Sequence, residues 1–144
     1  MEGMHEGVAR LLSDNCYMYR DQERYGRDPS VVVRAAPTTF SAPLRWKERR
    51  KVFTCSWSDF FHRDADPWRE EAWDIIRRTP HLTYQILTKR PERALTWLQQ
   101  HQPPPLPNVW MGVSVESQRF AYRLDVLAQT PAAVRFVSVE PMLG

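Results

Sequence analysis

The chain has 144 residues, which is enough for one domain with a sizeable hydrophobic core. Hydrophobic residues make up 42% of the sequence and charged residues 26%, a balance that excludes a disordered chain. The net charge of +3 is too small to indicate a nucleic-acid partner by itself. No apolar run reaches the roughly 18 residues of a membrane span, and the first residues form no secretory signal, so we expect a cytoplasmic protein.

Residues 1–50 are interpreted as an N-terminal helix and loop region. The pattern predicts a helix around residues 15–25, followed by a stretch punctuated by prolines from Pro29 to Pro43. Residues 45–51, which we call the basic segment, are rich in arginine and lysine and lead into the first strand. We interpret the basic segment as a solvated loop, with contact to a polyanion as the alternative.

Residues 51–144 alternate between short apolar runs and helical patterns. The runs predict four buried strands, at residues 52–55, 84–87, 109–113 and 134–137. Three helices are expected between the strands. The first is capped by Asp66 and has Pro67 at its first position. The second begins at Pro91, and the third is capped by Ser117. The third helix is expected to turn Phe120, Leu124, Leu127 and Ala128 inward.

The order βαβαβαβ indicates an α/β fold with a parallel sheet and right-handed crossovers. A doubly wound sheet and a (β/α)₈ barrel both fit this order, and we favour part of a TIM-like barrel, about half of one. The chain is therefore expected to be a single, incomplete α/β domain. An open half barrel would leave a sheet edge uncovered, and we expect self-association through that edge.

The tetrapeptide Val-Ser-Val-Glu occurs at residues 113–116 and again at 137–140, each time where a strand gives way to a loop. Ligands of parallel α/β folds bind beyond the carboxyl ends of the strands. Ser114 and Glu116 share one face of their strand, as do Ser138 and Glu140. The two glutamates are candidate catalytic residues for general acid–base work. They could equally hydrogen-bond a ribose or an amine.

The first two strand ends are polar as well. Ser58 and Asp59 follow the first strand, with Trp57 beside them as a residue that could line a pocket. Lys89 and Arg90 follow the second strand and stand at the predicted start of a helix, where a phosphate or carboxylate would be favoured. Four polar strand ends together indicate a ligand-binding rim. The acidic residues and histidine between residues 59 and 66 could bind a hard or borderline metal, although their spacing matches no metal-binding motif.

Several stretches together resemble a bacterial and bacteriophage family known for an N-terminal three-cysteine motif and a radical-SAM-like barrel. The matching stretches are residues 15–19, 24–29, 43–46, 56–61, 87–93, 108–116 and 135–144. The resemblance covers about residues 13–144, and it lies in the combination rather than in any single stretch.

The resemblance implies a [4Fe-4S] cluster held by three thiolates, with S-adenosylmethionine at the open iron. Cys16 matches the last cysteine of the motif, and Ser13 stands where another is expected. Cys55 lies on a predicted buried strand and does not replace the missing cysteine of the motif. Because only one of the three cysteines is matched, the resemblance implies impaired cluster binding. Family members continue with further strands, so it also implies an incomplete copy. It assigns cofactor or substrate binding to Cys16, Ser58, Asp59, Lys89, Arg90, Ser114 and Ser138.

Two alternatives to an iron–sulfur protein remain open. One is a non-catalytic module that binds a phosphate-bearing ligand or nucleic acid through Lys89, Arg90 and the basic segment near Arg49. The other is a gene remnant without a function. The sequence names neither a reaction nor a substrate, and it leaves open whether the chain is an enzyme.

Overall fold

The computed structural model describes residues 17–101 and 104–139 of the chain. The chain divides into two compact units, residues 1–33 and 34–144. In the first unit, helix α1 (Tyr17–Arg24) ends at a turn in which Gly26 has the left-handed φ of 65° that glycine adopts without strain. The predicted helix around residues 15–25 is thus confirmed where the structure describes it. Cys16 lies outside the described residues.

The second unit begins with the short helix α2 (Pro37–Phe40) and a 3₁₀ turn (Ala42–Arg45). The strands that follow are β1 (Lys51–Thr54), β2 (Thr83–Thr88), β3 (Val109–Ser114) and β4 (Val134–Ser138). Between them lie the helices α3 (Asp66–Arg78), α4 (Pro91–His101) and α5 (Tyr122–Gln129). The predicted alternation of strands and helices is confirmed.

The four strands form one parallel sheet in the order β1-β2-β3-β4. Each strand therefore pairs with its predecessor in the sequence, as in a segment of a barrel. In a doubly wound sheet, by contrast, the order in which strands are added reverses at a switch point. The register brings Thr54 beside Ile86, and Ser114 beside Ser138. The fold is α/β and is consistent with part of a barrel.

The core lies between the two central strands and the helices that cover them. Its fully buried side chains include Phe61, Trp73, Leu82, Ile86, Leu98 and Met111. The expectation of four buried strands is wrong for β1 and β4, because each has only one neighbour within the described sheet. Phe53 in β1 is 47% exposed and Val137 in β4 is 43% exposed.

Neither predicted helix cap is present. Asp66 is the first residue of α3, and its carboxylate binds the guanidinium groups of Arg69 and Arg93 instead of backbone N–H groups. Ser117 precedes a 3₁₀ turn without a capping side-chain hydrogen bond, and α5 begins only at Tyr122.

The inward face of α5 also differs from the prediction. Leu124 and Ala128 are exposed, and Arg123 is buried with Leu127. Arg123 lies on the buried face because its guanidinium binds Glu116 and the backbone oxygen of Ser114.

Candidate functional site

Asp59 connects the loop after β1 to the end of β2. Its Oδ1 accepts hydrogen bonds from the backbone N–H of Phe61 at 2.9 Å and from Thr88 Oγ1 at 2.8 Å. Its Oδ2 accepts from the backbone N–H of Lys89 at 2.9 Å and from Arg90 Nη1 at 3.1 Å. A carboxylate that is 9% exposed needs such donors to offset its loss of hydration. Asp59 therefore fixes the first two strand ends against each other.

Glu116 connects the end of β3 to β2 and α5. Lys89 Nζ forms an ion pair with its Oε1, and Arg123 Nη1 donates to its Oε2 at 3.0 Å. The same Nη1 also donates to the backbone oxygen of Ser114 at 2.6 Å. Glu116 is 3% exposed, so both carboxylate oxygens are paired inside the protein.

These contacts form one continuous arrangement of charged and polar side chains. We call it the strand-end network; its members are Asp59, Thr88, Lys89, Arg90, Glu116 and Arg123. It lies along the carboxyl edge of the sheet and joins the ends of three successive strands.

Glu116 is held in its ionised form. Burial acts to raise its pKa, but the ammonium group of Lys89, and more weakly Arg123, outweigh burial and hold the pKa below its usual value. A carboxylate with a lowered pKa is a poor proton donor at neutral pH. Its surroundings suit the positioning of Lys89, and its predicted catalytic role stays a prediction.

The first two residues of the second copy of the repeated tetrapeptide pair with those of the first copy. Ser114 and Ser138 are partners in the sheet, and the Val115 N–H donates to the backbone oxygen of Ser138 at 2.8 Å. Ser114 is buried and Ser138 is half-buried. Glu140, the other candidate catalytic residue, lies outside the described residues.

The loop after β1 begins with an unusual backbone conformation. Cys55 has φ 56°, a left-handed value that costs a non-glycine residue about 1–2 kcal/mol. Its carbonyl accepts a 3.0 Å hydrogen bond from the Ser58 N–H, which closes a tight turn and leaves Ser58 exposed. Our placement of Cys55 on a buried strand is wrong, because the residue follows β1 and is exposed.

Lys89 and Arg90 stand at the start of α4 as predicted, but each has a carboxylate partner. An incoming anion would have to share Lys89 with Glu116, and Arg90 with Asp59. The side chain of Lys89 remains 49% exposed and that of Arg90 39%. They also lie far from Arg49, because strand starts and strand ends form opposite edges of a parallel sheet. The cations that the alternative of an anion-binding module combined therefore lie at two separate edges of the sheet.

The polar residues between 59 and 66 do not gather around a common point. His62 Nδ1 accepts from the Asp64 N–H at 3.1 Å, while Asp66 pairs with the two arginines named above. Within residues 17–101 and 104–139, no group of three or more histidine, cysteine or acidic side chains could hold a metal ion.

A family model matches residues 8–144, and its description is "Protein of unknown function (DUF5131)". The chain belongs to this family. No curated protein and no solved structure matches it. In the described part of the chain, no helix combines the length and the apolar character that crossing a membrane requires. The family match covers the whole strand-end network.

A [4Fe-4S] cluster with three protein thiolates does not fit the residues of this family member. The sequence holds two cysteines, Cys16 and Cys55. Desolvation of the thiol, aided by the Asp59 carboxylate, raises the pKa of Cys55 to about 11, although the residue as a whole is exposed. Two cysteines cannot supply the three thiolates that such a cluster requires.

The sequence reasoning missed Arg123, the buried cation of the network. Arg123 stands four residues before Leu127, so both lie on one face of α5. An arginine in the apolar stripe of a helix was the signal that could have revealed it, because a buried guanidinium requires a buried acceptor such as Glu116.

Proposed function

We propose that this chain is related to radical-SAM-like iron–sulfur proteins and keeps the strand-end part of their ligand site. The supporting observation is the strand-end network, which links the residues after β1, β2 and β3 at the carboxyl edge of a parallel sheet. Small ligands of such folds bind at this edge. The stretches that carry the resemblance include residues 87–93 and 108–116, which contribute Lys89, Arg90 and Glu116 to the network.

The ligand in this proposal is a small molecule with a carboxylate, as in S-adenosylmethionine. Lys89 and Arg90 retain N–H groups beyond those that bind Glu116 and Asp59, because an ammonium has three donors and a guanidinium five. The two carboxylates hold these cations at the rim, so that less side-chain entropy is lost when the ligand binds. The hydroxyl groups of Ser58 and Ser138 are further candidate donors.

In the same proposal, the chain does not assemble a complete cluster from its own cysteines. The test is anaerobic reconstitution of the purified chain with iron and sulfide, followed by iron and sulfide analysis. We expect substoichiometric iron, no four-iron absorption band and no reductive cleavage of S-adenosylmethionine. Stoichiometric uptake of four irons per chain would overturn this part of the proposal.

The ligand site is tested separately, by equilibrium dialysis of the purified chain against radiolabelled S-adenosylmethionine. We expect saturable binding that weakens at least tenfold in Lys89→Met. Arg63→Gln serves as the control, because Arg63 is 85% exposed and lies outside the network. Absence of saturable binding, or an equal loss in the control variant, would refute the ligand site.

A further inference from the structure

The amino edge of the sheet, opposite the strand-end network, contains an open cleft of about 420 Å³. Lys51 and Thr83, at the starts of β1 and β2, line it together with Asn108, which directly precedes β3. The side chains that give it its character are Arg49, Arg50, Lys51, His81, Thr83 and Asn108.

The cleft carries positive charge that the protein does not neutralise. Among the described residues, neither Arg49 nor Lys51 has an acidic group within ion-pair distance, and Arg50 has only Glu48, at 3.6 Å. Glu48 is 87% exposed, so water and salt screen this pair. The cations of the strand-end network, by contrast, have buried carboxylate partners. The amino edge therefore keeps more of its positive charge uncompensated than the carboxyl edge does.

Aromatic rings hold two of these cations in place. The Arg50 guanidinium lies over the Trp46 ring at 4.8 Å, and Lys51 Nζ lies over the Trp110 ring at 4.9 Å. A cation–π contact orients a cation and leaves its full charge in place. Both tryptophans are half-buried, and they adjoin the cleft through Arg50 and Lys51, the two cations that they contact. Cations interleaved with aromatic rings are typical of surfaces that bind single-stranded nucleic acid.

Hydrogen bonds fix both walls of the cleft. His81 Nε2 donates to the backbone oxygen of Trp46 at 2.7 Å, because a carbonyl can only accept, and this bond ties the basic segment to the turn before β2. On the other wall, Asn108 Nδ2 donates to the backbone oxygens of Ile76 and Thr79, at 3.2 Å and 3.3 Å. A site that is formed before binding loses less entropy when a ligand arrives.

We propose that this amino-edge cleft binds the sugar–phosphate backbone of single-stranded nucleic acid. Successive phosphates would contact Arg49, Arg50 and Lys51, and bases would stack against the exposed parts of Trp46 and Trp110. No contact of this kind reads a base edge, so the binding tolerates any sequence. This site and the ligand site at the carboxyl edge are independent of each other.

The test is fluorescence anisotropy with a labelled oligothymidylate of about a dozen nucleotides, measured over a range of salt concentrations. We expect binding that weakens as salt rises. The double variant Arg49→Gln/Lys51→Gln should bind at least tenfold more weakly. Its salt dependence should be shallower by about 1.4 in the slope of log K against log salt, since each lost phosphate contact accounts for about 0.7.

The charge-matched control is Arg63→Gln/Arg119→Gln, which removes two exposed cations outside the cleft. It should bind like the unaltered chain, and thermal unfolding should show that both double variants are folded. An equal loss of binding in the control would mean non-specific attraction to net charge and would overturn the proposal.

Two further measurements separate this site from others. Thymidine monophosphate at the concentration of total oligonucleotide phosphate should not displace the strand. Equal displacement would mean that the cleft takes a single phosphate group and would overturn the nucleic-acid assignment. Binding of S-adenosylmethionine should be unchanged in Arg49→Gln/Lys51→Gln, so that either proposal can fail without the other.

Discussion

Asp59 and Thr88 are joined by a 2.8 Å hydrogen bond between two buried side chains, although they lie 29 residues apart. Thr88 Oγ1 in turn accepts the Arg90 N–H at 2.9 Å. The hydroxyl group thus connects the loop after β1 to the first residues of the loop after β2. Without the Asp59 carboxylate, several donors at this position would lose their acceptor.

Asp59→Asn should lower the free energy of unfolding by about 2–4 kcal/mol, because the amide presents N–H groups to donors and leaves the Arg90 cation unpaired. Asp64→Asn should change it by less than about 0.5 kcal/mol, since the Asp64 side chain is 53% exposed and makes only long ion contacts. Urea unfolding at pH 7 measures both. Equal effects of the two variants would show that Asp59 does not anchor the network.

Glu116 should contribute to acid sensitivity. Its folded pKa lies below the value of about 4.3 for an unfolded glutamate, so the unfolded chain binds the proton more readily. The stability that Glu116 contributes is therefore complete above about pH 4.3 and is lost as the pH falls through the folded pKa. Glu116→Gln should be less stable at pH 7, by about 3 kcal/mol, and should lose less further stability on acidification.

Urea midpoints between pH 7 and pH 3 measure this difference in slope. Glu48→Gln is the matched control, because the Glu48 side chain is 87% exposed and its contact with Arg50 is screened. We expect the control to follow the unaltered chain. If the urea midpoints of Glu116→Gln also showed the same pH dependence as those of the unaltered chain, the role assigned to the buried carboxylate would be refuted.

Gly112 leaves room for an aromatic ring on the neighbouring strand. A Cβ atom at this position would overlap the ring of Phe136, its partner in β4, with Cε1 only 2.7 Å away. Gly112→Ala should therefore cost about 1–3 kcal/mol. Adding Phe136→Ala should cost less than the two single changes combined, which a double-mutant cycle of unfolding free energies measures. Strict additivity would contradict the steric explanation.

The open edge of β4 should promote association of the isolated chain. Val134 and Val137 are 38% and 43% exposed, and one backbone edge of β4 pairs with no strand among the described residues. A strand of this kind can pair with a second copy. Val137→Lys should shift sedimentation towards the monomer, whereas Leu124→Lys on α5 should not. A monodisperse monomer before any substitution would contradict the expectation.

The alternation of elements was predictable because each apolar run and each helical stripe is local in the sequence. The degree of strand burial was not, since it depends on the number of neighbours in the sheet: β3 is almost wholly buried, while β1 and β4 are half-exposed. The Asp66 cap failed for a similar reason. Arg93, from a later helix, competes for the same carboxylate.

The location of the candidate site followed from the rule that ligands of parallel α/β folds bind beyond the carboxyl ends of the strands. The pairing of its charged side chains did not follow from the sequence. Lys89 and Arg90 looked like free cations, because their partners Glu116 and Asp59 are remote in the sequence. The amino-edge cleft was hidden for the same reason. Its cations come from the basic segment, whereas Trp110 and Asn108 come from the start of β3.

Because every strand pairs with the one before it, the sheet can grow in the direction of protein synthesis. β2 can add to β1, and Asp59 gains its partners, before β3 and Glu116 have left the ribosome. Each new unit meets a finished edge and needs no rearrangement of earlier pairs, because every strand pairing spans a single βα unit. Within the strand-end network, Asp59 fixes β2 to the loop after β1, and Glu116 then fixes the end of β3 to β2.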